Sequence, residues 1–343
     1  MEKKKRKNRK RRLLILLMAL FFTTVMFTTT TYAWFTANKT VTVSTLTVNV
    51  EATNGIQISA DGINWKSILQ TSDITGVAST TYTSAVNQIP DTLTPVSTIG
   101  TIDSNGHMEM FRGTVGTIAS GANAGDFNLT AVKDTDTAGS TGDYIVFDMF
   151  LKVTSASDLW LTTNSGVNTI DATDTGIKNA SRIAFVILGN TAAGSSTSTI
   201  QGLSGSGATT TKYIWEPNYD VHTAAAIAEA ANTYGETTTA TGATQLPYSG
   251  IKAEIAAANA VPLKVTSATQ YSTRDSSYFA TVTPTYSTVE GFSQNLQIFS
   301  LAAGITKVRV YMWVEGQDVD CENAASGGNI TYDLQFTTQG PNP

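Results

Sequence analysis

Tyr144-Ile145-Val146-Phe147-Asp148-Met149-Phe150-Leu151-Lys152-Val153 is the stretch from which the fold is read. Ten residues with two charges suit a strand covered on both faces, near the centre of a sandwich. Lys307-Val308-Arg309-Val310-Tyr311-Met312-Trp313-Val314 alternates instead, which puts Val308, Val310, Met312 and Val314 on one face. Six more runs of this kind occupy residues 108–115, 127–132, 159–162, 181–188, 297–301 and 330–337, with turn residues between them. The pattern predicts an all-β protein, an antiparallel jelly-roll-like sandwich.

Residues 41–65 refine that expectation. Val41 and Val43 share one alternation, whereas Leu46, Val48, Val50 and Ala52 follow one shifted by a residue. A one-residue slip turns every side chain to the other face unless the backbone absorbs it, so a β-bulge is expected at Ser44-Thr45. Asn54-Gly55 and Asp61-Gly62 are turn pairs around Ile56 and Ile58, and the whole reads as a β-meander ending at Trp65.

Residues 190–285 break the rhythm with Gly, Ser and Thr tracts at 189–211 and 236–242. They read as a loop-rich insertion containing one or two short helices, the first within 221–234 with Ile227 on its apolar side and the second within 251–260.

The N-terminus carries a different signal. Nine Lys and Arg lie between Lys3 and Arg12, residues 13–35 carry no charge, and Thr31-Tyr32-Ala33 places small residues around a tyrosine. This is the order of an export signal peptide over residues 1–33, cut between Ala33 and Trp34, with a retained membrane anchor as the competing reading. Either reading puts the remaining sandwich, residues 34–343, outside the cell membrane, secreted or at the cell surface, with signal peptidase as a partner during export and the membrane touched only through the leader. Nine of the 22 basic residues and one of the 27 acids lie in the leader, leaving 13 against 26 and a net charge of −13. Such a surface argues against nucleic acid as a partner. The single cysteine, Cys321, excludes an internal disulfide and reads as buried and inert between Asp320 and Glu322.

Chemistry is sparse. His107 and His222 are the only histidines, and no nucleophile elbow, zinc-protease helix or phosphate loop is present, so an enzyme is not expected. The densest polar stretch is residues 315–323. Glu315, Asp318, Asp320 and Glu322 read either as a solvated loop or as oxygen ligands for a structural Ca²⁺. No other cofactor is implied.

At the front of the exported part, Trp34 and Phe35 precede an extended segment through Val41 and Val43. Such a segment can return to its own sheet or add to the sheet of another copy. The leader running into Tyr32-Ala33-Trp34-Phe35-Thr36, with Thr45-Leu46-Thr47-Val48-Asn49-Val50 beyond it, resembles the TasA and camelysin family of secreted proteins of Gram-positive bacteria. The resemblance covers about the first 50 residues. It departs from the family where Ser44 stands in place of a glycine and where an acidic residue after the aromatic pair is missing. It implies a jelly-roll β-sandwich, cleavage by a dedicated signal peptidase, and, in the TasA branch, biofilm-matrix fibres in which a donor strand, here Trp34, Phe35, Val41 and Val43, passes to the next copy or to a related matrix subunit. The protease activity linked with camelysin finds no motif here to carry it. The expected function is that of an exported structural component of the cell surface or extracellular matrix. The alternatives are a monomeric adhesin binding carbohydrate or protein through residues 190–285, and a secreted hydrolase dependent on His107, His222 or a carboxylate pair.

Overall fold

The computed structural model describes residues 40–50, 55–122, 124–172, 175–263 and 274–341. The leader, the cleavage site Ala33–Trp34, Phe35, Ala52 and Asn54 lie outside the described residues, and no helix within them is long and apolar enough to cross a membrane.

The protein is mostly β-structure. A seven-stranded sheet has the order β17 (Leu296–Leu301), β9 (Ser157–Leu161), β19 (Asn329–Thr337), β1 (Val41–Val50), β3 (Ile68–Gln70), with β10 (Gly166–Thr169) also on β19 and β4 (Thr92–Leu93) also on β1. A six-stranded sheet has the order β16 (Tyr286–Thr288), β12 (Lys212–Pro217), β11 (Ser181–Thr191), β18 (Gly304–Val314), β8 (Ile145–Val153), β2 (Gln57–Ser59). Two smaller sheets pair β13 (Tyr248–Ile251) with β15 (Phe279–Val282), and order β14 (Val261–Pro262), β7 (Phe127–Asp134), β6 (Met110–Thr117) and β5 (Val96–Ser97). All eight strand runs read from the alternation are present, with ends displaced by a few residues.

The main core lies between the two large sheets. Leu46, Val48, Leu161, Ile330, Leu334 and Phe336 from one meet Phe147, Met149, Phe185, Val308, Val310 and Met312 from the other. A second core covers the opposite face of the six-stranded sheet, where Tyr144, Val146, Tyr311 and Trp313 pack against Val96, Met108, Met110 and Tyr248. β8 is therefore covered on both sides, as its unbroken apolar run requires. β18 is as well, although its alternation marks only one apolar face: all eleven of its residues are buried, Lys307 and Arg309 included. Asp148 makes this possible. It sits opposite Arg309 in the β8–β18 register, accepts from Arg309 Nε at 2.8 Å and from the Tyr82 hydroxyl at 2.7 Å, and lies 3.2 Å from Lys307 Nζ. Burial opposes its ionisation, but Arg309 and Lys307 outweigh that and hold its pKa down to about 2.

The bulge stands where the phase slips: β1 is one strand whose pairing with β19 shifts between Val43 and Thr45, and Leu46, Val48 and Val50 are buried beyond it. Three expectations are corrected. The sandwich is not wholly antiparallel, because β1 runs parallel to β19 over eight paired residues and β12 runs parallel to β16. The first leg of the meander is absent, because β2 joins β8 in the other sheet rather than folding back on β1, while the reversal at Asp61-Gly62 is present and pairs Ile58 antiparallel with Lys66. A turn pair specifies that the chain reverses, not which strand receives it. In the first helix of the irregular region, Ala224–Glu229, the buried positions are Ala226 and Glu229 while Ile227 is half-buried. A π-type turn, Ala230–Tyr234, continues it, and the second candidate reduces to the 3₁₀ turn Ala257–Asn259.

Residues 190–285 also supply β12, an interior strand of the six-stranded sheet, together with β13, β14 and β15. Their Gly-Ser-Thr tract includes the short helix Thr197–Gln201, started by Ser196 Oγ accepting from Thr199 N, and buries Ile200 against Phe150 and Tyr82. Gly62, turning at φ +73°, faces that helix closely enough for an added Cβ to lie 2.7 Å from Ile200 Cγ2. Gly62→Ala is expected to cost about 1–2 kcal/mol in urea unfolding, from the left-handed backbone and the overlap together. An unchanged midpoint would contradict this close approach.

Candidate functional site

The most unusual chemistry of the described chain lies beyond the end of β18. From Glu315 the backbone winds in successive turns, Asp318 N to Glu315 O at 3.1 Å, Cys321 N to Asp318 O at 3.1 Å and Ala325 N to Glu322 O at 3.0 Å. The turns fold residues 315–322 inward rather than into solvent, with Cys321 in the main core. Glu315, Asp320, Cys321 and Glu322 are at most 1% exposed, and Asp318 is 8% exposed. The solvated-loop expectation for this segment is corrected on that ground.

Arg182 makes the burial tolerable. It is the second residue of β11 and is fully buried, and its Nη2 pairs with both Asp318 and Glu216 of β12. Its Nη1 donates to the carbonyls of Asn179 at 2.8 Å and Ser181 at 3.0 Å, and its guanidinium lies 5.7 Å from the centre of the Tyr248 ring. Burial disfavours the guanidinium charge, but Glu216 and Asp318 reverse the effect and raise its pKa. Glu216 is completed by Gln245 Nε2 at 2.6 Å, and burial pushes its pKa up.

Among the described residues no side-chain cation hydrogen-bonds to Glu315. It accepts from Trp313 Nε1 at 3.1 Å and from the Gln317 amide at 3.1 Å, and burial drives its pKa to about 7 despite the hydrogen bonds from Ser97, Trp313 and Gln317. Asp320 receives Nδ1 of His222 on Oδ2 at 2.7 Å. Burial pushes Asp320 up to about 7. For His222, burial works against the charged ring, but Asp320, Asp318 and Glu216 prevail and raise its pKa.

Of the four candidate Ca²⁺ ligands Glu315, Asp318, Asp320 and Glu322, the first three turn to different partners, and among the described residues no group of three or more His, Cys, Asp or Glu side chains is arranged to hold a metal ion. The cation at the centre of this acidic segment is a side chain, Arg182. Sequence reading overlooked Arg182, Glu216 and His222 as one unit because they lie up to 136 positions from the loop they meet. The only local trace was an arginine heading an apolar strand.

His222 opens on a cleft whose walls include Asn179, Glu216, Tyr219, Glu236 and Asp320. Three atoms of these buried walls have no hydrogen-bond partner among the described residues: Asn179 Oδ1, His222 Nε2 and Asp320 Oδ1. His107, the other histidine, is elsewhere. Its Nδ1 faces Asp136, which also accepts from the hydroxyls of Tyr144 at 2.6 Å and Tyr311 at 2.9 Å.

Of the donor-strand residues, Val41 and Val43 lie in β1, within their own chain's sheet. Val41 is fully buried opposite Leu93, and Val43 N donates to Asp91 O at 2.9 Å. No family model, curated protein or solved structure matches this chain. Fold and site together define a mostly β protein of stacked sheets with a buried ion network at one end of its central layer.

Proposed function

We propose that this chain is an exported structural protein of the cell surface or extracellular matrix, a TasA-like, jelly-roll-related subunit that builds fibres by passing its N-terminal strand to the next copy and breaks no bonds. The observation that carries the reading is the construction of β1. Its bulge divides it into two lengths with different neighbours: residues 47–49 lie between β19 and β3, while Thr42 lies between β19 and the two-residue β4, with Val41 paired to Leu93. The first length is held mainly by main-chain hydrogen bonds and by one deeply buried valine, Val41. The same strand from another copy offers the same bonds and the same side chain, so exchange conserves the contacts while linking two molecules.

A protein beginning at Trp34 is expected to form filaments visible by electron microscopy, and one beginning at Thr45 to stay dispersed. Equal assembly of the two would reject strand exchange.

A further inference from the structure

We propose that the cleft beside His222 is a receptor for a primary ammonium group, carried either by a free diamine or by a lysine-type side chain.

Three buried side chains on the cleft walls each leave an acceptor unpaired. Asn179, His222 and Asp320 are 2%, 7% and 1% exposed, and each leaves one polar atom without a partner among the described residues. Asn179 spends its amide nitrogen on Val221 O, so the free atom is the acceptor oxygen. Asp320 takes the His222 Nδ1–H on Oδ2, leaving Oδ1 as an acceptor and, in the neutral ring, Nε2 as another. Glu216 and Glu236 add negative charge to the walls, while Arg182 is already engaged by Glu216 and Asp318. Buried acceptors without donors are costly, and the free space between these walls, about 10 Å³, admits one group the size of a water or an ammonium head, with the rest of a ligand left in the mouth.

An ammonium brings three N–H donors and a compact charge. A metal ion fits less well. An imidazole that turns Nδ1 toward Asp320 carries Nε2 on its far side, so an ion at ~2.1 Å from Nε2 is poorly placed to reach the same carboxylate. An ammonium nitrogen at ~2.9 Å from each acceptor spans a wider gap. The Tyr219 side chain on the cleft wall suits the methylene stem behind it.

The test is calorimetric titration of the folded protein with cadaverine and with Nα-acetyl-lysine methylamide, using 1,5-pentanediol as the uncharged control. Saturable binding is expected at pH 8.5, with no binding of the diol. At pH 6 affinity should fall at least about fivefold, because protonation of His222 removes an acceptor. Asp318 of the loop, Glu216 of β12 and Arg182 of β11 also face that ring, and the Asp320–His222 pair takes up the proton as a unit, which lowers the negative charge of the wall. Glu236→Gln at the rim should weaken binding several-fold, and Asp320→Asn at least about tenfold. Asn179→Ala is expected to bind more weakly while retaining the wild-type far-UV spectrum. Binding of cadaverine alone assigns a free amine, and binding of the lysine derivative alone assigns a side chain. The proposal is overturned by absence of binding to both, by equal binding of the diol, by affinity unchanged in Glu236→Gln, or by Zn²⁺ or Ca²⁺ binding where neither amine does.

Discussion

Arg182→Met loses about 3–5 kcal/mol of stability, the expected cost of removing one partner from a buried ion cluster. The size follows from what remains. Glu216 and Asp318 stay behind at 4% and 8% exposure, and the Asn179 and Ser181 carbonyls lose their donor. For a domain with ordinary marginal stability this is a large share of the total, so much of the protein would be recovered unfolded. Urea denaturation at pH 7.5 measures the loss. Adding Glu216→Gln and Asp318→Asn to the same variant should restore a substantial part of it, because neutral side chains no longer need the guanidinium. A single-variant loss under about 1 kcal/mol would mean that the cluster is solvated.

Glu315 gives the second large effect, and it reverses ordinary acid denaturation. Its pKa rises from 4.5 when unfolded to about 7 when folded, so the folded form binds the proton more tightly. The stability this contributes is fully present below pH 4.5 and is lost as pH rises through 7. Between pH 8 and pH 5 the protein should therefore gain about 3 kcal/mol from this group alone. Asp320, raised by burial, acts in the same direction. Asp148 acts oppositely, as pH falls below its unfolded value of 3.8 and through about 2, outside the window. Urea midpoints at pH 5, 6, 7 and 8 should fall steadily in the wild type. In Glu315→Gln the curve should flatten and lie above the wild type at pH 8. Parallel curves would place the proton uptake elsewhere.

Strand positions were legible because backbone pleating forces a two-residue period on whatever faces a core. Even the fault at Ser44-Thr45 could be read, since a phase slip leaves a sequence mark wherever the sheet must stay buried. Strand partners were less accessible. Asn54-Gly55 resembles a hairpin turn, yet β1 takes β19, the last strand in the chain, as its long neighbour. The acidic stretch 315–322 misleads for a related reason: charge density along a chain ordinarily means solvent, and only Arg182, brought alongside by the β11–β18 pairing, reverses that.

Alternation and composition by themselves determined an all-β chain, its eight principal strands and the bulge, because these depend on the geometry of neighbouring residues. Tertiary structure alone decided that the six-stranded sheet is covered on both faces, that residues 190–285 thread a strand through it, and that Glu216 and Asp318 lie buried against one arginine. Those outcomes depend on contacts between residues distant in sequence, from 34 positions for Arg182 and Glu216 to 136 for Arg182 and Asp318, where no local preference of the chain specifies the partner.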